Sequence, residues 1–318
     1  MLKSTTLLKF TVILIAFIIM LCNQLLNAQT MEKIESSIPL LVLDEEPGLI
    51  LPKAFRTSSS NFSDKENATS KEGLEDLKAA ASAQFSTQTL QNALKSLEGP
   101  VWIVDLRKES HGFVNDMPIS WYSAQNRGNV NESDDNILRQ EAMLFSDLKR
   151  LKVINVNKIE EKKEGVIEKT TPVHFNIENA FPEVTLANKL NLGYLRLGVL
   201  DHHRPEDITV DHFIDFVKTL PPESWLYFHC RGGKGRSTTF MVMYDIMRNG
   251  HKVSLEDIVA RQALLGGSNL FDISEEGDDN WKKEAAIERK DFITKFYKYV
   301  KDRRGYPEKS WSEWSKKH

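Results

Sequence analysis

Apolar runs and amphipathic spacings alternate along most of the chain. Leu40 to Leu43 is a short apolar run. Gln88 to Leu97 carries Leu90, Ala93, Leu94 and Leu97 at helical spacing and is closed by Pro100. Val101-Trp102-Ile103-Val104 then reads as a buried strand. Asn136 to Leu151 predicts a second amphipathic helix, with Leu138, Met143, Leu144, Leu148 and Leu151 on one side. Val153 to Val173 is charged and β-leaning around a Glu-Lys-Lys-Glu-Gly turn, which predicts a strand-turn-strand excursion.

From Leu192 the alternation becomes regular. A strand at Tyr194 to Leu197 precedes a helix from His212 to Leu220, closed by Pro221-Pro222. Trp225 to Phe228 is a short, wholly apolar strand. A helix from Ser237 to Arg248 stops at Asn249-Gly250, and another from Leu255 to Leu265 stops at Gly266-Gly267. A long terminal helix runs from Trp281 to Arg303. Strand–helix alternation of this kind predicts an α/β sheet flanked by helices.

The ends read differently. Met1 to Ala28 has lysines at 3 and 9, an apolar stretch from Phe10 to Leu21 and a small residue at its end, the pattern of a signal peptide. This predicts an exported protein, periplasmic or secreted, with no stable membrane association once the segment is removed; an uncleaved anchor is the alternative. Residues 29–80 form an N-terminal extension that includes the polar linker-like stretch 57–75. Residues 81–318 carry the α/β pattern, with the β-rich excursion near 150–190.

Composition narrows the function. With 318 residues, 41% hydrophobic and 27% charged, the chain can bury a sizeable core. Its 42 basic residues against 45 acidic ones give −3, and loss of Lys3 and Lys9 with the leader takes this to −5. A weakly acidic chain argues against a nucleic-acid partner. Of the two cysteines, only Cys230 outlasts such processing, so no internal disulfide is expected. A free thiol in an oxidising compartment is a liability, which favours a chemical role over that of a small buried hydrophobe.

That cysteine sits in WLYFHCRGGKGRSTTFMVM, residues 225–243. An apolar strand feeds His229-Cys230, then Arg231-Gly232-Gly233-Lys234-Gly235, then a helix opened by Arg236-Ser237. Glycines allow close backbone approach, so successive N–H groups can form an anion nest at the positive end of the helix. Arg236 adds a planar two-donor fork. Such donors favour the thiolate of Cys230, which can then attack a bound phosphoryl group without a metal. Ser237 or Thr238 can donate to the sulfur and help it leave. Two other readings fit poorly. A Walker loop lacks the hydroxyl after its lysine, since Gly235 follows Lys234, and a zinc site would have one thiol and no paired ligand spacing. Neither a metal nor a cofactor is called for.

The loop resembles the signature of cysteine-dependent phosphatases of the protein tyrosine phosphatase type. The wider chain is similar to the tyrosine-phosphatase-like inositol polyphosphate phosphatases, or cysteine phytases. The resemblance rests also on LPKAFRTS (51–58), VDLRKESHGFVNDMPISWY (104–122), LDHHRP (200–205), ARQALLGG (260–267) and Trp281-Lys282. It implies a phosphatase α/β domain with a small partial β-barrel beside it, and a small polyanionic phosphate ester as substrate. It implies hydrolysis of myo-inositol polyphosphates through a phosphocysteine. Phosphotyrosine or phosphoinositide hydrolysis, or phosphate binding without catalysis, are the alternatives.

Residue by residue, the resemblance makes Asp201 the general acid, although read alone Asp201 is equally a helix cap or turn residue. It places His202, Lys282 and Arg289 near the substrate, with Arg231, Gly232, Gly233, Lys234 and Gly235 lining the loop. His229, Glu109 and Gln262 become supporting residues, Gln262 as a possible orienter of water. Three positions depart from the family pattern. Arg204 stands where an aromatic precedes the proline, Asn126 where an aspartate lies at the substrate rim, and Val42 near a family arginine.

Overall fold

The computed structural model describes residues 39–63, 69–273, 280–301 and 309–318. The predicted leader, Met1 to Ala28, lies outside these residues, as does Arg303. In chain order the elements are β1 (Leu40–Leu43), β2 (Arg56–Thr57), β3 (Ala79–Ser82), α1 (Thr87–Leu94), β4 (Val101–Arg107), β5 (His111–Val114) and β6 (Met117–Tyr122). Then follow α2 (Asp134–Leu148), β7 (Val153–Lys163), β8 (Val166–Asn176), β9 (Ala180–Pro182), α3 (Glu183–Lys189), β10 (Gly193–Val199) and α4 (Asp207–Thr219). The chain ends with β11 (Trp225–His229), α5 (Gly235–Asn249), α6 (Leu255–Leu264), α7 (Lys283–Lys301) and α8 (Trp311–Ser315). Among the described residues no helix is long and apolar enough to cross a membrane.

The strands form two mixed sheets. The first has the order β10-β4-β11-β3-β2, parallel except for β2. Its inner strands are buried on both faces, which is why they read as unbroken apolar runs. Leu226 and Phe228 of β11 pack with Phe213, Phe240 and Ile258 from α4, α5 and α6. Trp225 and Tyr227 face Leu90 of α1 and Leu186 of α3. The second sheet, β8-β7-β1-β6-β5-β9, takes up the strand-turn-strand excursion at one edge.

Several elements depart from the sequence expectation. The described parts of the segment 57–75, residues 57–63 and 69–75, do not run free: Phe62 and Leu74 are buried in the core and the Ser63 amide donates to Leu264 O. Helix α2 buries Ile137, Glu141, Phe145 and Leu148, whereas Leu138, Met143 and Leu151 are exposed. The reason is Glu141, which accepts from Arg196 Nη1 at 2.9 and 3.0 Å and from the His111 amide at 3.1 Å. A carboxylate with these partners belongs to the buried face, and a pattern counted on apolar residues alone turns the helix the wrong way. Helix α4 starts five residues before the expected His212, and α5 already includes Gly235 and Arg236.

Candidate active site

Strand β11 delivers His229-Cys230 to the loop 231–234, and α5 begins at once at Gly235. Three of the four loop carbonyls, those of Arg231, Gly233 and Lys234, are each engaged by a donor. Arg231 O accepts from the Gln84 amide at 3.2 Å, Gly233 O from Arg56 Nη1 at 2.8 Å, and Lys234 O from the Thr238 amide at 2.9 Å. Because each peptide is planar and trans, the following N–H faces the other way. Gly233 alone of the loop glycines takes a positive φ, +68°, and a Cβ there would lie 2.3 Å from Ala83 N. Cys230 is 3% exposed, and its sulfur accepts a hydrogen bond from Ser237 Oγ at 3.2 Å.

Arg236, in the first turn of α5, is fully buried. Glu109 engages it with both oxygens, at 2.7 Å to Nη1 and 3.0 Å to Nη2, and Val199 O accepts from Nη1 at 3.1 Å. Asp201 Oδ1 lies 3.2 Å from Nη2. Burial alone would raise the Glu109 pKa, but Arg236 and Arg107 outweigh it and hold the group well below the usual range. Burial likewise opposes ionisation of Asp201, and Arg236, His202 and the Asn126 hydrogen bond outweigh it, so the carboxyl sits below its ordinary value. His202 goes down to about 4, mainly through burial, against the pull of Asp201.

A cavity of about 660 Å³ opens over the sulfur. Cys230, Arg231, Gly232, Lys234 and Gly235 form its floor, and Asp201, His202, Lys282 and Arg289 line its side. Lys162 and Gly165 enter from the β7–β8 hairpin, and neither was singled out in the sequence. The hairpin tip is tied down, since Gly165 O accepts from Tyr122 Oη and from the Gln125 amide, both at 2.8 Å. Five cations on the lining face three carboxylates, those of Asp44, Glu164 and Asp201, and Asp44 is already engaged by Arg231 Nε at 2.7 Å. The cleft therefore concentrates positive charge although the chain is net acidic.

One supporting candidate lies elsewhere than expected. Gln262 does not reach the cavity; its side chain is fully buried and donates to Asp245 Oδ2 at 2.9 Å, beside the Arg261–Asp245 pair. His229 is buried beneath the loop, with Nε2 2.7 Å from Glu183 Oε1. Asp105, Glu183 and His229 bring ligand atoms within 4.8 Å of one another. The neighbouring His111 supplies positive charge to this cluster: burial lowers its pKa, but Asp105 at 3.1 Å overrides that and raises it to about 9. A protonated imidazole thus does the neutralising that a cation would do.

The departures from the family pattern also have places. Val42 is fully buried in β1 and away from the cavity. Asn126 is buried beside the acid loop, with φ +59° and its Nδ2 on Asp201. Arg204 bonds Glu288 at 3.0 Å and Asp207 at 2.9 Å and lies over the Phe292 ring, so it ties the loop to α7 by charge where an aromatic would tie it by packing. Arg56 and Trp281 complete the surroundings. The first was legible only as part of LPKAFRTS, and the second only as the start of the last helix.

Comparison with known proteins bears on this geometry. The family model for PTP-like phytases, described by inositol hexakisphosphate, matches residues 104–248. The effector protein hopD2 of Pseudomonas syringae pv. tomato is 29% identical over 252 residues, which are 77% of this chain and 53% of that protein. The PTP-like myo-inositol phosphatase of Mitsuokella multacida, solved with myo-inositol-(1,3,4,5)-tetrakisphosphate, superposes with a TM-score of 0.82 at 34% identity, over 87% of this chain and 47% of that one. A PTP-like phytase from Bdellovibrio bacteriovorus gives 0.66 at 32% identity, over 87% of this chain and 94% of that one. The chain thus spans about half the length of the first two relatives and nearly all of the third.

Proposed function

The chain belongs to the protein tyrosine phosphatase-like phytases, and from that premise we propose that it is a cysteine-dependent phosphomonoesterase acting on myo-inositol polyphosphates. The observation that carries this reading is the Cys230 sulfur on the floor of a cation-lined cavity, with Ser237 donating to it and Asp201 on the wall. In this reading the thiolate attacks phosphorus, and the ester oxygen leaves with the bonding pair. Asp201 gives that oxygen its proton. The equatorial oxygens are held by loop N–H groups and Arg236.

Water then attacks the phosphocysteine. Asp201, now a carboxylate, takes its proton, and the sulfur leaves as a thiolate stabilised by the Ser237 hydroxyl. The electrostatics favour this order. In the free site Asp201 is ionised by Arg236, which is the wrong state for an acid. A phosphate dianion that engages Arg236 brings negative charge beside Asp201 and raises its proton affinity. Substrate binding thereby arms the acid.

Lys162, Arg231, Lys234, Lys282 and Arg289 supply more cationic positions than one phosphate needs, which supports a substrate with several phosphates. The test compares kcat/KM on inositol hexakisphosphate and on a phosphotyrosyl peptide. A preference of about 100-fold for the inositol phosphate is expected. The opposite preference would overturn the substrate, and absence of turnover on both, with no phosphoenzyme trapped, would overturn the enzyme.

A further inference from the structure

Among the described residues four arginines are buried, and three of them face carboxylates: Arg107 faces Asp44 and Glu109, Arg236 faces Glu109 and Asp201, and Arg261 faces Asp245. Arg56 is the exception. It is 2% exposed, and among the described residues no carboxylate pairs with it. A buried cation without a counter-ion is costly, so its retention asks what anion it serves.

Its hydrogen bonds point to the answer. Strand β2 pairs with the edge of β3 and places Arg56 opposite Ala81, behind the phosphate-binding loop. Nη1 donates to Ala54 O at 3.0 Å and Gly233 O at 2.8 Å, and Nη2 donates to Thr238 Oγ1 at 3.1 Å in the first turn of α5. Neither Arg56 nor Gly233 lines the cavity, whereas Gly232 and Lys234 on either side of Gly233 do. The guanidinium thus grips the loop from the side opposite to the substrate. With Gly233 O pulled back, the planar peptide turns the N–H of Lys234 forward.

We infer that Arg56 is a positioning residue for this loop: it fixes the Gly233 peptide from behind, and its charge is balanced by the anion the loop holds, first the Cys230 thiolate and then the bound phosphate. This rests on Cys230 being the nucleophile. Burial lowers Arg56 to about 10, so it stays cationic while a thiol titrates, and the charge of Cys230 pulls it back up. Arg236 from α5 and Arg289 from α7 also feel the sulfur's charge, and Asp201 shares the cavity with it. Arg236 is already matched by two carboxylates and Arg289 stands on the cavity wall, which leaves Arg56 as the fixed charge behind the loop.

Two substitutions separate charge from grip. In the full-length chain, iodoacetamide labelling of the Cys230 peptide is followed by mass spectrometry across pH, and inorganic phosphate binding by calorimetry. Arg56→Gln removes the charge, and the labelling midpoint rises by about one pH unit. Arg56→Lys keeps the charge but loses the fork, so its midpoint stays at the wild-type pH while phosphate affinity falls about 10-fold. A folded Arg56→Gln with an unmoved midpoint, or an Arg56→Lys that binds phosphate like wild type, overturns the inference. If Arg56→Gln does not fold, Arg56→Lys decides alone. Neither readout involves turnover or inositol phosphates. A wrong substrate or a dead enzyme would instead show in the wild-type assays while these shifts stood.

Discussion

Asn126 donates from Nδ2 to Oδ2 of Asp201 at 2.9 Å, out of a backbone held at φ +59°. With Arg236 on Oδ1 at 3.2 Å, the carboxyl is pinned at both oxygens and kept ionised in the free site. Asn126→Asp replaces the donor with a second carboxylate at the same spot. Like charges so close cannot both ionise, and the pair's upper apparent pKa climbs by about 1–2 units. The alkaline limb of kcat/KM against pH should move upward by a similar amount. A limb that stays put would mean that Asp201 is not the proton donor or that Asn126 does not govern it.

Gly232 and Gly233 are neighbours with opposite demands. A Cβ on Gly233 meets Ala83 N at 2.3 Å and Ser82 C at 2.5 Å, both backbone atoms that cannot swing aside, at φ +68°. A Cβ on Gly232 meets nothing within 4 Å. Gly233→Ala should therefore cost about 2–4 kcal/mol, and Gly232→Ala less than about 1 kcal/mol. Thermal melts of the two variants check this, and equal melting temperatures would contradict it.

What the sequence disclosed and what it hid follow from how each feature is built. The loop was legible because its chemistry is local, with strand, cysteine, glycines, arginine and helix start all within residues 225–243. Strands β4 and β11 were legible because burial on both faces leaves unbroken apolar runs. Strand β3 was not, since Ala79-Ala80-Ala81 carries little hydrophobic signal. Its last residue, Ser82, with the following Ala83, lies so close to Gly233 that a side chain there would not fit. Lys162 reaches the site only through tertiary contacts, from a distant hairpin, and Asn126, placed at the rim by the resemblance, gets there on a left-handed turn that no local pattern announces. Glu141 misled the reading of α2 because its partners, Arg196 and His111, are remote in sequence.

His111 is fully buried and raised to about 9 by Asp105, against the opposing effect of burial. Its ordinary value is 6.5. A raised native pKa contributes stability that is complete below 6.5 and is lost as pH climbs through 9. At 1.36 kcal/mol per unit, the difference is worth about 3 kcal/mol. Urea unfolding of the wild type should show that decline between pH 6.5 and 9.5. His111→Gln should be less stable at pH 6.5 and nearly flat over the same interval. A wild-type slope retained in the variant would assign the pH dependence to other groups.

Gly165 turns the β7–β8 hairpin at φ +78°, and a Cβ there would lie 2.9 Å from Cζ2 of Trp281 and 3.0 Å from Cα of Gln125. Its carbonyl is the anchor for Tyr122 Oη. Gly165→Ala must therefore lift the tip from Trp281 and loosen the bond to Tyr122, and Lys162, three residues away, loses its place over the cavity. Lys162 is exposed at the cavity rim, yet partial desolvation of its ammonium followed by repulsion from Arg231 depresses its pKa, so the pocket holds it at a cost that a bound polyanion would offset. The chemistry at Cys230 needs one phosphate and does not involve the hairpin directly. The KM for inositol hexakisphosphate should rise about 10-fold, while turnover of a simple monophosphate ester falls far less. A uniform loss on both substrates would show that the hairpin supports the fold of the site instead of holding the additional phosphates.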